Sequence, residues 1–203
     1  LRQLAGGMAA PDLFSRGLSP VSSLGAKAIL AKVVNELDKQ GAIPYFAPVC
    51  RTPGFLRSLL RTVEDLRLGG ARPEEVGETG APGQDLARIL SAYGGELRER
   101  GLADYAQILE IAAEIRTIGR HAVSGLPLVA FCVAAETSLE RQLLAALIEQ
   151  ATGVLVTLPQ GDRPLVEFLE ERFEITAEAL SADSDTALDR LRSRLFETEA
   201  GEG

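Results

Sequence analysis

The chain has no tryptophan, a single histidine and two cysteines among its 203 residues, and each shortage closes off a class of chemistry. Cys50 and Cys132 lie too far apart in sequence to form a disulfide framework, which points to a reducing, cytoplasmic compartment. One His and two scattered Cys cannot furnish a typical structural zinc site. Ser-His-Asp catalysis would rest wholly on His121, and no nucleophile motif surrounds it, so a surface or capping role is expected there. Aromatics make up 5%, too few and too scattered for a base-stacking platform. No apolar run approaches the ~20 residues that span a bilayer, so no membrane partner is expected. The N-terminus, Leu1-Arg2-Gln3-Leu4, has neither a start Met nor a signal-peptide layout, and we expect a piece of a longer protein. Neither a Gly-x-x-x-x-Gly-Lys-[Ser/Thr] phosphate loop nor an Asp with a Glu-x-Lys nuclease signature occurs.

What is present is an ordinary globular balance, 46% hydrophobic and 25% charged, enough for one domain, or one domain with a subdomain. The net charge of −8 argues against a dedicated nucleic-acid module, but its distribution is uneven. Residues 50–72 hold five arginines against Glu64 and Asp65, whereas residues 170–203 hold ten acids against four arginines.

Helical periodicity dominates the first 120 residues. Leu1, Leu4 and Met8 share a face, and Pro11 and Pro20 should break the pattern. Ser22 or Ser23 can cap a helix over 26–40 with Ile29, Leu30, Val33, Val34 and Leu37 buried, and Gly41 suits its C-terminus. Thr52-Pro53 reads as the next helix start. That helix runs to about Leu68, with Phe55, Leu59, Val63 and Leu66 on one side and Arg57 and Arg61 on the other. Residues 71–83, rich in Gly and Pro, read as a loop. Asp85 reads as the cap of a helix carrying Leu86, Ile89, Leu90 and Tyr93, weakened at Gly94-Gly95. A further helix over 104–118 carries Tyr105, Ile108, Leu109, Ala112 and Ile115.

After Gly125 the pattern changes. Leu126–Val133 is a continuous apolar run suited to a buried parallel strand. Thr137-Ser138-Leu139-Glu140 has capping-box spacing and opens a helix with Leu139, Leu143, Leu144, Leu147 and Ile148 inward. Residues 153–158 form a second strand, which completes a right-handed βαβ unit. A helix over 165–172, a weak strand over 173–177, a last helix over 187–196 and a frayed tail follow. The expected fold class is therefore α/β. A mostly helical subdomain, 1–124, is followed by a partial parallel βαβ unit, 125–203.

Three segments carry a resemblance. Arg51-Thr52-Pro53-Gly54-Phe55-Leu56-Arg57-Ser58-Leu59-Leu60-Arg61-Thr62-Val63-Glu64-Asp65-Leu66-Arg67-Leu68 resembles the "PGF…R.L…ELRLAG" helix of AddB-type and related PD-(D/E)XK nuclease–helicase proteins. Residues 90–93 through 102–109, ending Leu102-Ala103-Asp104-Tyr105-Ala106-Gln107-Ile108-Leu109, are similar to the stretch preceding motif II in superfamily 1 helicases of the UvrD/Rep type. Pro127–Val133, Glu136–Leu147 and Val154–Asp162 are similar to the motif II strand, its helix and the strand leading to the "GD" of motif III.

The resemblance implies a P-loop-helicase-like fold, with an inactivated motor domain as in AddB-type subunits. An active motor ends the motif II strand in Asp-Glu to hold Mg²⁺ and polarise water. Here the strand ends Phe131-Cys132-Val133-Ala134-Ala135, and Glu136, the nearest acid, also suits a helix cap or an exposed position. The resemblance makes Gln160, Gly161 and Asp162 a motif III-like turn coupling nucleotide state to DNA, while their residue types alone suit a plain turn. Arg51, Arg57 and Arg61 are the candidate DNA contacts, since guanidinium forks match phosphate oxygens. A solvated face paired to Glu64 or Asp65 is the other reading.

The expected role is a scaffold region of a bacterial DNA-end-processing helicase–nuclease. It has no catalytic residue, metal or cofactor in this stretch, leaves ATP and Mg²⁺ to the parent protein, and takes DNA and a partner motor subunit as partners. A protein–protein interaction module without DNA contact is the alternative. A Rossmann-type enzyme would need a Gly-rich turn where Ala-Ala-Glu-Thr-Ser stands.

Overall fold

A computed structural model describes residues 1–114, 125–159 and 161–180. His121, Gln160, Ile115, Ile118, the helix expected over 187–196 and the tail lie outside the described residues. The chain is mixed α/β, predominantly helical, with two small parallel two-stranded sheets.

Helix α1 spans Arg2–Ser15 and contains Pro11, so the break expected there does not occur. Pro11 forfeits one backbone bond, but Met8, Ala9 and Leu13 are buried on either side of it and hold the helix together. Helix α2, Ser23–Lys39, starts where Ser22 accepts a hydrogen bond from the Gly25 N–H, and it buries Ile29, Leu30, Val33 and Val34. Helix α3, Phe55–Leu68, begins after Gly54 at φ 93°. Thr52-Pro53 therefore precedes the helix: the chain must first turn through a left-handed conformation that only glycine adopts freely.

The expected loop over 71–83 contains helix α4, Pro73–Gly77, and the start of helix α5, Ala81–Glu99. Five residues are too few for a periodicity to show. A Cβ on Gly83 would sit 2.2 Å from the Val76 carbonyl oxygen, so glycine is what lets α4 and α5 touch. Asp85 lies inside α5 and caps nothing. Gly94-Gly95 does not interrupt α5, because Tyr93 and Leu97 on either side are each 1% exposed.

The region expected to be all helical also contains β1, Ser19–Pro20, paired in parallel with β2, Leu102–Ala103. Helix α6 follows over Tyr105–Glu114. Strand β3, Leu128–Phe131, pairs in parallel with β4, Val154–Thr157, across helix α7, Ser138–Gln150. In α7 the Thr137–Glu140 capping box forms as its spacing predicts. Helix α8, Arg163–Phe173, follows, and residues 175–180 form no strand. Phe173 ends that helix, and Glu174 takes a left-handed conformation.

Among the described residues, three clusters make the core. One joins α2, α3, α4 and α5 around Leu30, Val63, Ile89 and Tyr93. A second joins α1, α6 and α7 through Ala5, Leu109 and Leu143. The third packs α7 and α8 under β3 through Leu144, Leu165 and Ala130. Strand β3 is not the buried strand expected: Val129 is 68% and Phe131 77% exposed. Only the Ala130 side of the β3–β4 sheet is covered by helices among the described residues. No helix among the described residues is long and apolar enough to cross a membrane.

Candidate functional site

The arginines of residues 50–72 do not form one patch. Arg51 is spent on Asp38, with Nε and Nη2 at 3.2 and 2.8 Å from Oδ2; this pair holds the Asp38 carboxyl below its usual range. Arg72 is likewise tied to Glu75. Arg67 turns inward. Arg57 and Arg61, one turn apart on α3, stay exposed. Arg57 forms no ion pair among the described residues, and Arg61 has only Asp65 at 3.9 Å, with both side chains largely in solvent, a pairing of little worth. Of the three expected DNA contacts, then, two share a free face and the third is engaged elsewhere.

At the carboxyl end of the β3–β4 sheet, where open α/β sheets bind ligands, Cys132 leaves β3 at φ 48°. The acid-free run Val133–Ala135 follows, and Glu136 is exposed. On the neighbouring strand Thr157 Oγ1 is buried with no hydrogen-bond partner among the described residues. Asp162 serves as the N-cap of α8, accepting from the Leu165 N–H at 3.3 Å, and Gly161 lies exposed in the turn before it. The carboxylate of Asp162 is thus committed to starting a helix. No group of three His, Cys, Asp or Glu among the described residues could hold a metal ion.

A constellation that sequence reasoning missed lies between the N-terminus of α2, α3, α5 and the start of α6, around a cavity of about 130 Å³. Arg67 and Asp104 form a two-pronged ion pair, Nε to Oδ2 and Nη2 to Oδ1. Asp104 Oδ1 also accepts from the Gln107 N–H at 3.0 Å and so caps α6. Burial alone would lower the Arg67 pKa, but the hydrogen bonds and charge of Asp104 outweigh it and keep the guanidinium charged. The guanidinium lies 5.9 Å from the ring centroid of Tyr93, and that of Arg2 lies 3.9 Å over Tyr105. The only sequence signal was a charged residue, Arg67, on the apolar side of a helix. Comparison with protein-family models and with curated proteins finds no match to either.

Proposed function

We propose that the chain is a non-catalytic, helicase-like scaffold region of a bacterial DNA-end-processing helicase–nuclease, acting in double-strand-break repair and recombination. Its helix α3 contacts the DNA backbone and its β3–β4 sheet belongs to a motor-like, P-loop-helicase-type domain. The observation that carries the reading is the contrast within one basic segment. Arg51, Arg67 and Arg72 are committed to carboxylates, while Arg57 and Arg61 are held one turn apart with their guanidiniums in solvent. A pair at that spacing can grip two phosphates of one strand in the two-pronged geometry of arginine. It would add affinity without sequence preference.

The test is binding to a short duplex. Affinity should fall with salt, and Arg57→Ala with Arg61→Ala should flatten the log–log salt slope by roughly 2, about 0.9 for each phosphate no longer neutralised. An unchanged slope would remove the DNA contact from the reading. Mixed with Mg²⁺, ATP and linear DNA, the purified chain should release no phosphate and degrade no ends beyond a buffer blank. Turnover above that blank would overturn the non-catalytic assignment.

A second reading, an interaction module with no direct DNA contact, is favoured by the uncovered sheet face of Val129, Phe131 and Leu155. Apolar faces of parallel sheets are normally buried. Failure to bind duplex even at low salt would favour it.

A further inference from the structure

The Arg67 cavity has a polar side chain that pairs with no protein group among the described residues. Tyr93 is 1% exposed and its ring is gripped by the α2–α5 core. Its hydroxyl reaches no protein acceptor among the described residues, yet it escapes full enclosure and lines the cavity. A buried hydroxyl is ordinarily hydrogen-bonded, so one left open at a cavity marks a place for a ligand atom. Burial pushes the Tyr93 phenol up to about 12, which keeps its proton available for donation.

Several of the groups around it are donors. Ser22 and Ser23 line the cavity at the start of the 17-residue helix α2. The Ser22 side chain and carbonyl take the Gly25 and Ala26 amides. The Ser23 amide, at the cavity, therefore has no partner inside the helix, at its positive end. Arg67 uses two N–H groups on Asp104 and has others to give. Arg2, across the cavity, is in no ion pair among the described residues. The acids present are Asp104, whose oxygens are taken by Arg67 and the Gln107 amide, and Glu64, whose carboxyl is raised by burial. The cavity has a volume near 130 Å³, room for one tetrahedral oxyanion.

We propose that this cavity binds a single phosphate-type oxyanion through the Tyr93 hydroxyl, the Arg2 and Arg67 guanidiniums and the Ser23 amide. The site is separate from the Arg57/Arg61 face and does not rest on it.

The probe is inorganic phosphate, titrated into ¹⁵N-labelled full chain at fixed ionic strength. The expected result is a saturating shift at the Ser23 amide with a Kd of order 1 mM. Tyr93→Phe, which keeps the packed ring, should weaken binding about tenfold. Arg2→Gln, on an exposed residue that cannot unfold the core, should weaken it several-fold. Arg57→Ala with Arg61→Ala should leave it unchanged. Short duplexes with and without a 5′-phosphate then separate the sources. A shift at the Ser23 amide from the phosphorylated duplex alone identifies a DNA end as the donor of the phosphate, and a shift from neither identifies a free anion. No saturation by about 10 mM phosphate, or equal affinity in Tyr93→Phe, overturns the site.

Discussion

At the scale of single residues, Asp85 shows how far side-chain type misleads without its neighbours. An aspartate ahead of an apolar run suits an N-cap, yet here it sits inside α5, 1% exposed. It accepts the Tyr45 and Phe46 amides at 2.8 and 3.2 Å and pairs with Arg88 at 2.9 Å. Those amides belong to a turn 40 residues away, and only folding brings them to it. Asp85→Ala would strand two part-buried N–H donors and is expected to cost about 1–3 kcal/mol in urea unfolding. A loss indistinguishable from that of a surface substitution would mean the turn finds other partners. The Arg51–Asp38 pair is the counter-case: with Arg51 84% exposed at its side chain, Arg51→Ala should leave the urea midpoint unmoved.

At the scale of elements, local signals held where the partner of each group is itself local. Thr137 and Glu140 satisfy one another's backbone, so their spacing alone set the start of α7. Thr137→Ala should cost about 1 kcal/mol, read as a lowered unfolding midpoint. Pro11 marks the opposite outcome. Its penalty is intrinsic to the helix, while the burial of Met8, Ala9 and Leu13 that outweighs it comes from packing on α6 and α7. Pro11→Ala restores an N–H and should stabilise the chain by roughly 1–2 kcal/mol, after part of the gain is returned through a freer unfolded chain. A drop in stability would show that the proline fixes the helix for a reason other than strength. Strand β3 reads as fully buried because its residues are all apolar. A two-stranded sheet has cover for only one side here, and periodicity cannot count the layers above it.

At the scale of the whole molecule, α7 is the shared member. Leu139, Leu143 and Leu147 face the cluster with α1 and α6, and Leu144 faces the one with α8 and β3. The helical part and the βαβ unit therefore rest on one helix. Leu143→Ala, at 0% exposure, should cost about 2–5 kcal/mol, and far-UV and near-UV probes should report one coincident transition. Separate transitions would mean that the two parts stand independently.

Composition and spacing by themselves determined the α/β class, the α2 stripe, the α7 capping box and the parallel crossover, because each depends on contacts within a few residues or on a periodicity along one segment. The tertiary structure alone decided which arginines are free, since a guanidinium's charge is fixed by its sequence but its partner is not: Asp38 takes Arg51, Asp104 takes Arg67, and nothing described takes Arg57. It likewise decided that Tyr93 is packed to 1% exposure with no protein acceptor for its hydroxyl among the described residues, because burial is a property of everything packed around a group and no single stretch of chain contains it.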